Sequence, residues 1–562
     1  MLSTSEAELL EKIDSNQLKN HLLNISSFVR QAGSEGERKS REYIFEQLDS
    51  SGIEWKEYKS TALLSTPKGA SLEIIGRNAN YLINVKTWSF SDSVPQGVKG
   101  RPFLDLQNEF SKNPLDLLCL TDREKDLEGL IIVAPWRGPI PVFIAQARGA
   151  AGYVALWMDG KEAEIHEGIV SFIWGAPSPL ENHLYLSIPF VVTSYEEGRK
   201  LVSSLESDRE GLELEIKTDV FDRVEDLNTI EATCLGAEDE DWFVVVGSHL
   251  DSWHYGATDN ATGNALVLAL AQALHSAPIG LNLRFCWWSG HSEGRYAGSS
   301  LYARDRFEEL SRYCLAVMNA DVPGMSGSGD YRRISVGPDL FSLAKKTVID
   351  LTGQVGRLTG PVRGWDQSFQ NIGLSPYFVW ASLLPEGSPN ATGDGTMGWW
   401  WHTEKDLVEH VDMDILLQDS RLYLLALSRL SRGLEIFPDP YKLASFLISK
   451  IEKLPEQYSS HFLSVIRNLQ FCKEVLGRNR LPLELRIRMT RLLNRMLYCW
   501  KGPHEQDWAI QSTYLPGIEL ALEVLNKSKG VDTRELVVAE NFLIAQRNRL
   551  LSLIEDLFMI LS

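Results

Sequence analysis

Val244–Gly263, VVVGSHLDSWHYGATDNATG, runs from a cluster of valines into a loop carrying two imidazoles and two carboxylates, and ends where an apolar helical pattern begins. The valine run reads as a buried strand, and GNALVLALAQALHS from Gly263 reads as the helix packed against it. His249 and Asp259 therefore fall where open α/β sheets gather their chemistry, in the crevice beyond the carboxyl end of a strand. The loop around Asp259 is too rich in Gly, Asp and Asn to be regular structure. A carboxylate there can bridge two divalent ions with its two oxygens, while Asn260 or Thr262 caps the following helix. Asp251 is placed to orient His249 and raise its basicity. Glu293, Asp321 and His402 follow in segments of similar texture, so the candidate metal ligands are His249, Asp259, Glu293, Asp321 and His402.

Around this stretch, IEATCLG, DWFVVVGSH, LNLRFCWWSG, YCLAVMNAD and LSPYFVW read as strands, alternating with helices such as SSLYARDRFEELSRY. That alternation predicts a doubly wound, mixed sheet. Residues 5 to 50 read as two amphipathic helices separated by QAGSEGERKS, and IEWKEYKS and LEIIGR as strands. Near residue 86 the texture turns irregular. LEGLIIVAPWRGPIPVFIAQARGAAGYVALWMDG then predicts a strand, a helix and a second strand, inside an inserted domain. Beyond FPDPY only helical periodicity remains, with surplus leucine that suits a subunit interface. The expected boundaries are 1–85 and 222–434 for an α/β domain in two parts, 86–221 for the insert and 435–562 for a helical tail.

A chain of 562 residues exceeds a single core. Its 44% hydrophobic and 23% charged residues are ordinary for a soluble globular protein. The formal charge of −19, with no basic stripe to offset it, argues against nucleic acid as a partner. No stretch reaches the roughly 18 uncharged apolar residues of a membrane helix. The first residues lack the basic start and apolar core of a signal peptide. Six scattered cysteines without CxxC spacing, Cys119 among them, read as reduced thiols, so a cytoplasmic protein is expected.

HxDS followed by GAxDNxxG, then NADVPG around Asp321 and HTEKD from His402, resembles the co-catalytic zinc aminopeptidase family that includes glutamate carboxypeptidase II and the transferrin receptor. The resemblance covers nearly the whole chain and is strongest in these metal segments. It implies an α/β fold class: a phosphorylase/hydrolase-like three-layer αβα metallopeptidase domain, an inserted protease-associated (β-rich α+β) domain and a helical C-terminal domain that forms a homodimer. It also implies two zinc ions, with His249 and Asp321 on one, Glu293 and His402 on the other, and Asp259 between them. Manganese or cobalt would suit the same ligands.

FCWWSGHSEGRYAGSS departs from the family, whose pattern is two adjacent glutamates followed by xGxxGS. Anchored on Gly298 and Ser299, the second glutamate falls on Glu293 and the first, the family's general base, on Ser292. A serine hydroxyl is not basic near neutral pH. Three readings stay open. His291 accepts the proton; attack proceeds without a strong base or with a substrate group as shuttle; or the site is a relic. His291 can also replace Glu293 as ligand. The catalytic candidates are thus Asp251, His291 and Ser292.

Tryptophans crowd the same segments, and Trp253, Trp365 and Trp401 can wall an apolar pocket, whereas Trp287 reads as core. Asp366 stands in the RGWDQSFQNIG loop, where the family lines its pocket. Arg363, with Arg332 and Arg333, can hold a substrate carboxylate. The expected function is hydrolysis of an amide bond in a peptide or peptide-like small molecule, most simply by an aminopeptidase-type exopeptidase. The alternatives are an inactive scaffold and a hydrolase or cyclase of a non-peptide amide.

Overall fold

The computed structural model describes residues 2–76, 80–109, 126–157, 163–207, 211–237, 241–392, 396–478, 481–510, 513–526 and 533–561. Its strands are β1 (Glu54–Ile75), β2 (Asn80–Ile83), β3 (Val85–Thr87), β4 (Val94–Leu104), β5 (Leu130–Pro135), β6 (Gly152–Leu156), β7 (Phe190–Thr193), β8 (Glu213–Cys234), β9 (Phe243–His249), β10 (Asn282–Trp288) and β11 (Cys314–Asn319). With the short strand Ser375–Pro376 they form one 12-stranded sheet. Its order is Ser375–Pro376, β11, β9, β10, β8, β4, β5, β6, β7, β3, with β1 also on β8 and β2 on β1.

The sheet is mixed, as the alternation of elements predicts. β10, β9 and β11 run parallel, and β8 is antiparallel to β10, β1 and β4. The expected insert boundary at 221/222 falls inside β8, and the one at 85/86 inside β3. Residues 213–234 contain neither Gly nor Pro, so nothing breaks the extended backbone there. The Ile230–Cys234 end of β8 pairs with β10 and the Leu214–Thr218 end with β4, so the insert and the metal-bearing part share a sheet. IEWKEYKS and LEIIGR likewise merge into β1, which follows β8 from Glu54↔Thr233 to Ile75↔Glu213, with a register shift where Pro67 interrupts the ladder. Arg77 of LEIIGR and Cys119 lie outside the described residues.

Three N-terminal helices replace the two expected: Thr4–Leu10, Ser15–Ile25 and Glu35–Ser50, capped by Ser3, Asp14 and Ser34. SSLYARDRFEELSRY likewise divides into Ala297–Asp305 and Phe307–Tyr313. LSPYFVW pairs with β11 only at Ser375 and Pro376, where a residue without an N–H suits the sheet's edge. After residue 435 the described segments are helical, from Pro440–Ile451 to Thr533–Leu561, around a separate core that includes Leu447, Leu469, Leu497 and Ile554. The five described cysteines are buried and free. No described helix is long and apolar enough to cross a membrane.

The carboxyl ends of β9 and β10 are locked by one close packing. The indole of Trp288, fully buried, lies over Gly247, where an added Cβ would come within 1.9 Å of the ring. Gly247→Ala must part the strands that carry His249 and lead to His291. The expected cost is about 1–3 kcal/mol of overpacking, read as a lowered urea midpoint.

Candidate metal centre

His249 closes β9, His291 follows β10, and Asp321 follows β11. Because these strands are parallel and adjacent, their ends deliver the three side chains to one point, and the three form a buried group able to hold a cation. Asp259 enters from the loop after β9. One of its oxygens lies 3.0 Å from His249 Nε2, the other 3.1 Å from His402 Nε2, and Asp321 lies 3.4 Å from His249 Nε2. The Asp259 carboxylate thus stands between two imidazoles, as a bridging ligand must. The Asp259–Asn260 peptide bond is cis.

His249 Nδ1 meets the Asp251 carbonyl at 2.9 Å and His402 Nδ1 the Glu167 carbonyl at 2.9 Å. Carbonyls only accept, so each Nδ1 carries the hydrogen and each Nε2 turns its lone pair to the centre. Buried atoms with no hydrogen-bond partner among the described residues include His249 Nε2, Asp259 Oδ1 and Asp321 Oδ2. Orphaned lone pairs of this kind are costly unless a cation takes them. The donor set, two or three imidazoles with two carboxylates, fits zinc. Burial alone would lower the pKa of His249, but Asp321 and Asp259 outweigh it and hold the imidazole well above its ordinary value.

The Asp259 loop is anchored from outside. Asp406, the last residue of HTEKD, accepts from Thr258 N at 2.8 Å, Thr258 Oγ1 at 2.7 Å and Asp259 N at 2.9 Å. Asn260 Oδ1 accepts from Gly263 N and Val322 N, capping the helix as expected and joining this loop to the one bearing Asp321. Arg30, fully buried, donates to the carbonyls of Leu250, Tyr255 and Gly256. No local pattern announces Arg30 in the sequence; only a loop of inward-facing carbonyls gives its charge a reason to be buried.

Several expected residues take other places. Asp251 orients His249 through its backbone carbonyl, whereas its carboxylate accepts from the amides of His291 and Ser292 at 3.0 and 2.8 Å. Ser292 is buried at the cavity wall. Glu293 does not ion-pair with the imidazoles of the centre among the described residues. It accepts from Arg223 at 3.1 Å, where burial raises its pKa against the pull of that guanidinium. His291 stands beside His249 and Asp321 in its place, stacked on the His249 ring at 3.8 Å. Asp366, expected at the substrate, binds His291 Nδ1 at 2.7 Å and accepts from Ser299. Arg363 has its N–H groups on the Gln367 and Asp507 carbonyls and on Gln370 and Gln506. Arg332 is held by Asp330, and Arg333 donates to the Leu384 carbonyl.

A cavity of about 410 Å³ opens on the centre. Trp253, Trp365 and Trp401 line it as expected, and Trp88, Trp136 and Trp157 of the insert supply the opposite wall. Trp287 and Trp288 are buried in the core. Arg295, Tyr296, Val322, Trp365, Asp366 and His402 all have positive φ, a concentration of backbone strain of the kind functional sites carry. The insert reaches His402 itself: Glu167 N donates to the His402 carbonyl, and His402 Nδ1 donates to the Glu167 carbonyl.

Residues 229–426 match the profile of Peptidase family M28. That match covers about a third of the chain. The chain is 31% identical over 130 residues to a probable glutamate carboxypeptidase of Zea mays and 30% identical over 147 residues to an aminopeptidase of Pseudomonas aeruginosa. These stretches are 21% and 26% of this chain, and they span only 16% and 26% of the relatives' own lengths. The fold is similar to that of a Peptidase M28 precursor from Shewanella amazonensis, with TM-score 0.57 and 17% identity over 76% of this chain and 96% of that one. It is also similar to an aminopeptidase from Aneurinibacillus, with TM-score 0.56 and 18% identity over 75% and 95%. The matched region holds every residue of the centre named above; Arg30, Arg223 and Glu167, which support it, lie outside.

Cation binding at this centre displaces the proton from His249, because a ligating imidazole must be neutral. Zinc uptake at neutral pH is expected to release protons, and affinity to fall as pH drops. Calorimetry in buffers of different ionisation enthalpy measures both. Asp406→Ala frees the Asp259 loop and should weaken zinc binding about 10–100-fold in competition with a chelator.

Proposed function

We propose that this protein is a metal-dependent hydrolase of amide bonds in peptides or peptide-like small molecules, an exopeptidase of the aminopeptidase type, with His291 in the role of the missing glutamate base. The observation that carries the reading is the His291–Asp366 pair set against the orphaned ligand atoms of His249, Asp259 and Asp321. Asp366 fixes Nδ1, which leaves Nε2 free to accept a proton at the cavity. His249, Asp259, Asp321 and His402 would hold the metal, zinc by preference, with Asp259 shared between two ions. A bound ion of this kind acidifies water and polarises a carbonyl. The six tryptophans exclude solvent and favour an apolar group on the substrate. A second reading rests on the grouping of His291 with His249 and Asp321, which suits a further ligand.

The proposal includes a homodimer formed through the helical tail, supported by the exposed Leu463, Phe471, Val537 and Met559. Cytoplasmic residence is supported by the buried free thiols.

His291→Ala should lower kcat/KM for aminoacyl amides about 10²–10⁴-fold while bound metal, measured by elemental analysis, stays constant. Loss of metal instead assigns His291 as a ligand. Asp366→Asn removes the carboxylate that fixes His291 Nδ1, so kcat/KM should fall while zinc content stays constant. If two ions bind, the side built on His402 has fewer protein donors. Stepwise chelation should then remove one equivalent before the other, and His402→Ala should retain the His249 ion. An empty site with no turnover across a panel of peptides and aminoacyl amides would refute the hydrolase.

A further inference from the structure

Most charged groups on the cavity wall already have a use. Glu167 is paired with Lys86 at 2.8 Å and lies 3.3 Å from His254, Asp259 and Asp321 face the imidazoles, and the Arg363 guanidinium is bonded to the protein. Arg295 is different. It lines the cavity, is partly buried, and makes no hydrogen bond or ion pair among the described residues; its Nε is buried without an acceptor. Its guanidinium lies over the face of Tyr296, 5.0 Å from the ring centroid, itself part of the wall. In a chain of net charge −19, an arginine without a carboxylate beside a metal centre is a group held for a partner that comes from outside. The backbone supports this, because Arg295 and Tyr296 are both held at positive φ, at 51° and 67°, immediately after the loop that presents His291. Arg137, exposed on the insert, adds a second cation to the same cavity.

We infer that Arg295 binds a carboxylate of the substrate, so that the site selects anionic peptide-like molecules over their neutral amides. This rests on the cavity being the substrate site. A guanidinium meets a carboxylate through two parallel N–H···O bonds, and a partly desolvated setting strengthens them. The apolar wall takes the neighbouring side chain, and the metal centre takes the scissile bond. The carboxylate is either the substrate's terminal acid or an acidic side chain.

The test is ligand binding to chelator-treated protein, which removes any pull of the metal on the acid. The probes are N-acetylleucine, N-acetylleucinamide and N-acetylaspartic acid α-amide, measured by calorimetry on wild type, Arg295→Gln and Arg295→Lys. Wild type should bind at least one acid about 10-fold or more tightly than the neutral amide. Preference for N-acetylleucine marks a terminal carboxylate, and preference for the aspartyl amide marks a side chain. Arg295→Gln should erase the preference and Arg295→Lys keep part of it, with zinc content unchanged in both. Equal affinity for all three probes in wild type, or an undiminished preference in Arg295→Gln, overturns the inference. Turnover is scored separately on metal-loaded enzyme. Acid selectivity without turnover refutes the hydrolase reading but not Arg295, and turnover without acid selectivity does the reverse.

Discussion

The carboxylate of Asp259, buried between the imidazoles of His249 and His402, is the interaction on which the rest of the site depends. A carboxylate removed from water needs compensation, and here its amide takes a hydrogen bond to Asp406 while one oxygen has no hydrogen-bond partner. The surroundings keep it there. Asp406 grips the loop from one side, Arg30 gathers its carbonyls from another, and Asn260 ties it to the Asp321 loop. Such a network supports a cation with little rearrangement, and loosening any tie lets the carboxylate turn toward solvent.

The insert belongs to this arrangement. β8 carries the sheet from the metal-bearing strands into the insert without a break, so the two regions are stiffly joined. That stiffness lets Glu167 set the orientation of His402 and lets Trp88, Trp136 and Trp157 close the cavity. The two regions therefore share both the orientation of His402 and the walls of the cavity.

The placements of His291 and Glu293 have a local cause. The Asp251 carboxylate captures the adjacent amides of His291 and Ser292, which directs the His291 ring to the centre. Glu293, further along the loop, meets the Arg223 guanidinium, which also donates to Thr66 and to the Ala32 carbonyl. Asp366 completes the arrangement by taking His291 Nδ1. His291 thus faces the centre, while one Glu293 oxygen, Oε1, is buried with no hydrogen-bond partner among the described residues.

His249 and Asp259 stood out as candidates from residue type and strand context, because a strand-end loop rich in Gly and Asp has few structural reasons to exist, and Asp321 and His402 from the resemblance of their segments to a known metal-binding pattern. The alternating strands and the helical tail were legible for the same reason: periodicity is a local property. The continuity of β8, the division of the first helices, and the roles of Arg30, Arg223, Glu167 and Arg295 were not. Each depends on a partner far away in the chain, and an arginine looks alike in sequence whether it clamps a loop, neutralises a glutamate or faces an open cavity. The amino-acid order alone determined which side chains could ligate and on which strand ends they stand. Tertiary structure alone decided that His291 stands beside His249 and Asp321 while Glu293 pairs with Arg223, because each placement turns on which distant charge, Asp366 or Arg223, reaches the side chain.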